Sequence, residues 1–115
     1  MTNLVYKLID KDLWSDFEAN RRFDGAPVDH ADGFIHLSDG GQVEETARRH
    51  FAGQADLMIL ALNADRLGPQ LIWEPSRNAA LFPHLYRSLS LDDIVWAKPL
   101  PLGPDGTHDF SGLLG

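Results

Sequence analysis

The sequence predicts an α+β domain with a mainly antiparallel or mixed sheet and two main helices. Apolar residues recur at helical spacing in two segments, 11–20 and 43–52. Several short runs of β-forming residues, bounded by Gly, Pro and Asp, lie around these segments. The alternation of strands and helices is too brief for a doubly wound parallel sheet, and 115 residues suit a single domain.

The first half of the chain is predicted to begin with a strand that leads directly into a helix. The strand at 4–9 is rich in β-forming residues, and Asp10 has the position of an N-cap for the helix at 11–20. Residues 21–32 are predicted as a loop because turn-forming residues interrupt them. A second strand follows at 34–38.

The second helix follows a turn with capping chemistry. Asp39 and Gln42 have the spacing of a capping box, and the helix is predicted to end near Ala52. We expect one face to be apolar, and this face carries Val43, Ala47, His50 and Phe51.

The second half of the chain is predicted to consist mostly of strands. The segment 55–62 is the most apolar, as expected of a strand that is buried on both faces. After it we predict a turn at 63–68, a strand at 70–74 ended by Pro75, a loop at 76–83, a strand at 84–88, a helical turn at 90–94 and a last strand at 94–102. Residues 1–102 would form one α+β domain, and the glycine-rich tail at 103–115 is expected to be mobile.

The composition argues against several classes of function. The chain has 10 Lys and Arg against 17 Asp and Glu, a net charge of −7 that disfavours general nucleic-acid binding. It has no cysteine, which excludes disulfides, thiol catalysis and thiolate zinc sites. Residues 1–12 lack a signal-peptide pattern, and no run approaches the roughly 20 apolar residues of a membrane helix. We therefore expect a cytoplasmic protein without a membrane partner.

The strand at 34–38 places an aromatic ring, an imidazole and a hydroxyl on one face. Because side chains alternate along a strand, Phe34, His36 and Ser38 point one way, while Ile35 and Leu37 point into the core. This row ends where a helix begins, and helix N-termini attract anions. The alternative is structural: His36 would bond a nearby carbonyl and Ser38 would cap the helix.

A second row of the same kind lies near residue 84. Phe82, His84 and Tyr86 share one face of a strand. Small-molecule sites combine aromatic walls with few polar groups, so the two rows are expected to line one pocket. The alternative is that Phe82 and Tyr86 are ordinary core residues with His84 tolerated between them.

One acid and several cations complete the candidate set. Glu74 lies at a strand end beside Trp73, and partial burial would raise its pKa and suit it to act as a base. The alternative is a surface acid at a strand edge. Among the arginines, Arg77 and Arg87 lie nearest the candidate site in sequence and are the expected phosphate partners. The histidine spacings match no recognised ligand pattern, so no metal is expected.

Several of these motifs together resemble a family catalogued as domain of unknown function 952, which has many bacterial members. The resemblance covers about 4–98 and is carried by GFIHLS at 33–38, Gln42, Phe51, Trp73, Glu74 and FPHLY at 82–86. Members of that family are similar in fold to ADP-ribosyltransferases, which hold NAD in the cleft of a split, strongly bent sheet. The resemblance therefore implies an ADP-ribosyltransferase-like fold with NAD or a related nucleotide as ligand. The His-Leu-Ser stretch is also similar to RNA 2′-phosphotransferases, which share the fold.

The resemblance also implies roles for two positions. In active transferases a first-strand His or Arg contacts the NAD ribose, whereas the first strand here offers Tyr6 and Lys7. Glu74 is the nearest equivalent of the Glu that contacts the ribose 2′-hydroxyl and stabilises the oxocarbenium-like transition state.

Two functions remain open. The first is an enzyme that acts on NAD or a related nucleotide and transfers or cleaves a glycosyl or ADP-ribosyl group. Its catalytic residues would be Glu74, His36 and His84, and its ligand contacts would come from Phe34, Ser38, Gln42, Trp73, Tyr86, Arg77, Arg87 and Lys7. The second is a module that keeps the cleft without the chemistry and binds a small ligand or a peptide. The scarcity of cations favours the module, because a diphosphate needs more than one dedicated arginine.

Overall fold

The computed structural model describes residues 3–76 and 79–114, and within these ranges the chain forms nine strands, four α-helices and short 3₁₀ turns. The elements are β1 (Leu4–Asp10), α1 (Lys11–Asn20), β2 (Arg22–Phe23), α2 (Pro27–Asp32), β3 (Ile35–His36), β4 (Ser38–Asp39), α3 (Val43–His50), β5 (Leu57–Asn63), α4 (Ala64–Leu67), β6 (Leu71–Pro75), β7 (Leu81–Leu85), β8 (Leu89–Ser90) and β9 (Ile94–Leu100). The 3₁₀ turns include Gly68–Gln70 and Leu91–Asp93, the latter where a single helical turn is predicted.

The strand β5 lies inside a four-stranded antiparallel sheet with the order β4-β1-β5-β9. Both of its faces are buried, and each face belongs to a different core. The first core packs against α1 and includes Met58, Leu60, Leu62 and Phe17. The second core packs against α3 and includes Leu57, Ile59, Ala61 and Val43. Burial on both faces explains the unbroken apolar run, and this prediction is confirmed.

The remaining strands form a three-stranded antiparallel sheet, β3-β7-β6, and a two-stranded one, β2-β8. The α+β class with antiparallel sheets is therefore confirmed, and α1 and α3 are the two main helices that the periodicity predicts.

The predicted strand at 34–38 is divided between two sheets. Its first part, β3, pairs with β7, whereas its second part, β4, pairs with β1. Leu37 lies between them and donates its backbone N–H to the carbonyl oxygen of Pro83 at 3.1 Å. Ile35 and Leu37 are buried in the first core, as the alternation predicts. The division separates the two sheets at the point where the candidate residues lie.

The helix α1 begins as predicted, with the Asp10 carboxylate accepting a hydrogen bond from the backbone N–H of Leu13 at 2.7 Å. This bond satisfies one of the backbone donors that a helix leaves free at its N-terminus. On the buried face, Phe17 stacks on Phe23 of β2 with 5.6 Å between ring centroids.

Replacing Asp10 with Ala is expected to lower the free energy of unfolding by about 1 kcal/mol, because the capping bond is lost. The measurement is urea unfolding followed by circular dichroism. Asp16→Ala is the matched control, since Asp16 is exposed in the middle of the same helix and caps nothing. An Asp10→Ala variant as stable as the control would contradict the assignment of the cap.

The prediction of a loop at 21–32 is wrong. The segment contains β2 and the six-residue helix α2. Pro27 opens α2, and Gly33 ends it in the left-handed conformation with φ 86°, where its N–H donates to the Asp29 carbonyl at 2.8 Å. A helix this short shows no apolar periodicity, so its formation depends on tertiary contacts of Asp29.

The helix α3 differs from its prediction at both ends. Gln42 does receive the backbone N–H of Asp39 on its side-chain oxygen, at 3.1 Å, but the Asp39 carboxylate accepts from Gly41 instead of the helix. The helix ends at His50, and His50 is exposed although it was expected on the buried face. The reason is that the last turn borders the cavity described below, where no core covers His50.

In the second half, two boundaries differ from the predictions. The segment at 63–68 includes the short helix α4 instead of a plain turn, with the Asn63 side chain accepting from Asp65 N–H. β7 begins at Leu81, inside the predicted loop at 76–83. Pro83 is tolerated in this central strand because β3 pairs only with His84 and Leu85, so no N–H donor is needed at Pro83, while its carbonyl still accepts from Leu37.

The segment after Leu102, expected to be mobile, has specific contacts in its described part. Leu102 and His108 form a β-bridge, and the His108 imidazole contacts the Gln54 carbonyl oxygen at 2.7 Å. Phe110, Leu113 and Leu114 pack against the second core. The mobility of the segment and the domain boundary at 102 stay predictions.

In the described part of the chain, no helix is long and apolar enough to cross a membrane.

Candidate functional site

A cavity of about 850 Å³ lies between the four-stranded and the three-stranded sheets, with α2 and α3 beside it. This volume lies within the range of small-molecule sites. Its lining residues include Tyr6, Lys7, Leu8, Val28, Asp32, His36, Leu37, Ser38, Thr46, Arg49, His50, Phe51, Ser76, Phe82 and His84. The cavity therefore combines aromatic and aliphatic walls with three histidines.

The buried carboxylate of Asp29 connects three elements next to the cavity, which its partners Lys7 and His36 line. It forms an ion pair with the buried Nζ of Lys7 on β1 at 2.9 Å. Its Oδ1 also lies 2.7 Å from Nδ1 of His36 and accepts a hydrogen bond from the backbone N–H of His36 at 3.0 Å, and His36 belongs to β3. Its other contact is the backbone N–H of Ala26, at 2.8 Å, which fixes the start of α2. Asp29 therefore determines where α2, β1 and β3 lie relative to one another.

Ionised Asp29 is strongly favoured in the folded protein. Burial by itself would raise the pKa of this carboxyl, but the hydrogen bond from His36, the charge of Lys7 and the backbone N–H groups of Ala26 and His36 outweigh it. The net result is a pKa well below the usual range for Asp.

His36 is held on both of its ring nitrogens. Nδ1 contacts Asp29, and Nε2 contacts the Asp32 carboxylate at 2.8 Å. Both nitrogens can donate at once only in the imidazolium form. With both ring nitrogens in contact with carboxylates, His36 is not placed to exchange a proton with a ligand.

His84 is held on one nitrogen only. Its Nδ1 lies 2.8 Å from Oε1 of Glu74, and the same oxygen accepts the hydroxyl of Tyr86 at 2.6 Å. The described residues offer no partner to Nε2 of His84, a residue that lines the cavity. When the Glu74 carboxylate accepts Nδ1–H, Nε2 of the neutral imidazole is a proton acceptor.

Glu74 does not have the raised pKa that partial burial would give it. The hydrogen bond from Tyr86, followed by that from His84, lowers the pKa of this carboxyl, and Glu74 does not lie in a dry environment. The hydrogen bond between Tyr86 and Glu74 also raises the pKa of the Tyr86 hydroxyl. Glu74 is therefore an ionised partner that orients His84, and it does not act as a base with a raised pKa.

The two predicted rows of rings do come together, because β3 and β7 are paired and His36 is directly opposite His84. The Phe34 ring stacks on His84 at 4.0 Å and contacts the His36 and Tyr86 rings at 4.6 and 5.4 Å between centroids. His36 and His84 line the main cavity, whereas Phe34 and Tyr86 line a smaller hollow of about 270 Å³.

Other predicted contact residues have structural partners. The Ser38 hydroxyl, which lines the cavity, bonds the Thr46 hydroxyl at 2.9 Å and does not cap α3. Gln42 donates to the Leu81 carbonyl at 2.8 Å, and Trp73 is exposed on β6. Arg87 forms a two-pronged ion pair with Asp93 at 2.9 and 3.1 Å. Arg77 lies outside the described residues.

Sequence reasoning did not place Asp29 or Asp32 at the site, and it took Arg49 for a solvated surface charge and His50 for a residue of a buried face. The first two lie on α2, for which the sequence does hold a signal, since Pro27 and Gly33 match the preference for Pro at a helix start and Gly after its end. Arg49 and His50 lie in the last turn of α3, where no sequence pattern separates cavity residues from solvated ones.

Within the described ranges, no group of three His, Asp or Glu is placed to hold a metal ion. What the site offers instead is a cavity with one imidazole nitrogen available for proton transfer, a carboxylate that orients that imidazole, and ring faces on which a planar group can stack.

The fold and site define an α+β protein with a histidine-lined cavity between two antiparallel sheets. Residues 8–97 match the family described as Protein of unknown function (DUF952), and the chain belongs to that family.

Solved structures of one relative are similar to this chain in both sequence and fold. The crystal structure of protein CC0527 from Caulobacter crescentus is 46% identical, with a TM-score of 0.93, and the match covers 96% of this chain and 97% of that one. The solution NMR structure of CC0527 is 47% identical, with a TM-score of 0.85, and covers 93% and 92% of the two chains. Among curated proteins, no match to this chain is found.

Proposed function

We propose that this protein is an enzyme with an ADP-ribosyltransferase-like fold that binds NAD or a related nucleotide in the 850 Å³ cavity and cleaves or transfers its glycosyl group. The observation that carries the proposal is the pair Glu74–His84: an imidazole that lines the cavity, oriented by a carboxylate at 2.8 Å, with its second nitrogen unpartnered among the described residues. The passage of the chain from β3 to β4, between two sheets, supports the split-sheet classification.

In the proposed reaction, the bond between the anomeric carbon and the nicotinamide nitrogen breaks, and its electron pair goes to nicotinamide, which leaves as a neutral molecule. The oxygen of water or of an acceptor hydroxyl bonds to the anomeric carbon. Nε2 of His84 takes the proton that this oxygen loses and releases it to solvent. Glu74 orients His84 through Nδ1 and offsets the positive charge that His84 gains, as a carboxylate partner does in a triad.

His36 has a different role from that of a general acid or base. Its two carboxylate contacts fix the ring against Phe34 at the cavity wall, where it can orient a polar group of the ligand. Cytoplasmic location belongs to the same proposal, because a nucleotide substrate of this kind is available there.

The proposal is tested by incubating the protein with NAD and measuring nicotinamide release by chromatography, with intact-mass analysis of any added acceptor. Release or transfer above the rate without protein is expected, and Glu74→Gln should slow it. Tyr86→Phe is the control, since it removes only a second donor to Glu74 and should change the rate by less than Glu74→Gln does. Absence of turnover by the wild-type protein would overturn the enzymatic proposal, and turnover unchanged by Glu74→Gln would rule out the role assigned to the Glu74–His84 pair.

A second function is a binding module without catalysis. The observation that favours it is the commitment of Lys7 to Asp29 and of Arg87 to Asp93, which leaves few described cations for a diphosphate. A thermal-shift series with nucleotides separates the two functions, because a ligand at 100 times its Kd adds roughly 2.7 kcal/mol of stability. A rise in melting temperature with a nucleotide, without turnover of that nucleotide, would identify a binding module.

A further inference from the structure

We propose that Arg49 and His50, in the last turn of α3, form the phosphate subsite of the cavity and make it select phosphorylated over unphosphorylated nucleosides. The inference deepens the proposed function and rests on it for the identity of the nucleotide. No sequence pattern separates these two residues from the other basic residues in the last turn of α3.

The charges around the cavity single out Arg49. Among the described lining residues, the side chains with a full formal charge are Lys7, Asp32 and Arg49. Lys7 is neutralised by Asp29 at 2.9 Å, and Asp32 accepts from His36 at 2.8 Å. Among the residues that the structure describes, Arg49 pairs only with the Glu45 carboxylate, at 3.5 Å from its Nε, and about half of its side chain is exposed. An exposed pair at this distance contributes little, so the guanidinium can turn to a ligand at small cost.

His50 and Phe51 follow Arg49 and line the same cavity. His50 is exposed and borders the cavity with a ring that can donate to an anion. Arginine binds phosphate oxygens with two parallel N–H donors, and such charge-assisted bonds are the strong ones. Arg49 and His50 therefore give the α3 side of the cavity a preference for a diphosphate. His84, the proposed proton acceptor, lies in the three-stranded sheet instead.

The test is calorimetric titration of wild type, Arg49→Gln and Arg48→Gln with NAD, nicotinamide riboside and inorganic pyrophosphate. Arg48 is the matched control because it pairs with the same Glu45, at 3.7 Å, but does not line the cavity. We expect Arg49→Gln to raise the Kd for NAD and for pyrophosphate by about 10- to 100-fold. The Kd for nicotinamide riboside should change less than twofold, and Arg48→Gln should have the same Kd values as wild type. His50→Gln should raise the Kd for NAD by a smaller factor.

The outcomes separate the inference from the proposed function. If NAD binds equally to Arg49→Gln and Arg48→Gln, the subsite is wrong and the nucleotide cavity stands. If pyrophosphate binds and depends on Arg49 while NAD does not bind, the subsite stands and the NAD proposal is wrong. If wild type binds neither NAD nor pyrophosphate, both are overturned. Both variants change exposed side chains, so equal melting temperatures are expected and are measured first.

Discussion

Asp29→Asn is expected to lower the free energy of unfolding by about 3–5 kcal/mol at neutral pH, because it leaves the buried ammonium of Lys7 without its partner. The variant also loses the charge that receives the backbone N–H and Nδ1–H of His36 and the backbone N–H of Ala26. Urea unfolding followed by tryptophan fluorescence measures the change.

Asp32→Asn is the matched control for this prediction. Asp32 lies on the same helix and contacts the same imidazole, but half of its side chain is exposed. Its replacement should cost less than about 1 kcal/mol. The double variant Lys7→Met with Asp29→Asn should be more stable than Asp29→Asn alone, since the unpaired charge is gone. A loss below 1 kcal/mol for Asp29→Asn would contradict the central role of this carboxylate.

The same carboxylate makes stability depend on pH. In the folded protein the pKa of Asp29 is held below its unfolded value of roughly 3.9. The unfolded state therefore binds the proton first as the pH falls, so the stabilisation is complete above about pH 5 and is lost progressively below pH 4. Urea midpoints measured between pH 7 and pH 3 should fall less steeply for Asp29→Asn than for wild type.

His84→Gln is expected to reduce nicotinamide release by about 100- to 10,000-fold, the usual contribution of a positioned general acid or base. The Kd for NAD should change only a few fold, because the proton is transferred in the reaction and not in binding. This prediction depends on the proposed function, and kcat and KM are measured separately to distinguish the two effects.

His30→Gln is the control for His84→Gln, because His30 is exposed on α2 and does not line the main cavity. Because His84 is buried and stacked on Phe34, its replacement can also disturb packing. Glu74→Gln is therefore used as a second variant that leaves the imidazole in place. Loss of the Glu74 charge should slow the reaction, because the carboxylate that holds Nδ1 of His84 at 2.8 Å and offsets the charge gained on proton transfer is gone. Normal turnover by a folded His84→Gln variant would rule out the assigned proton acceptor.

Prediction from sequence succeeded where the signal is local. Asp10 precedes a run with helical spacing, and its capping bond is present. The apolar run of β5 lies between two cores, and the side chains of Ile35 and Leu37 are buried as strand alternation requires. The two rows of rings were also visible, since alternation places His36 with Phe34 and His84 with Tyr86.

Prediction failed where a feature depends on contacts between distant residues. The helix α2 is too short to show a periodicity and is fixed by Asp29, whose partner Lys7 is 22 residues away in the sequence. The pKa of Glu74 was expected to rise, and the Tyr86 and His84 hydrogen bonds lower it instead. The helical spacing predicts a buried face that includes His50, but His50 is exposed at the cavity, whereas Ala47 and Phe51 contact the second core.

The α+β class, the central buried strand and the residue types at the site were predictable from the amino-acid sequence, because they follow from short periodicities and from caps, whereas the sheet was predicted only as mainly antiparallel or mixed. The folded arrangement was needed to see that His36 is held between two carboxylates, whereas Nε2 of His84 has no partner among the described residues. This follows because a histidine's chemistry depends on which groups touch each ring nitrogen. Those groups, Asp29, Asp32 and Glu74, reach the rings only when α2, β3, β6 and β7 are folded together.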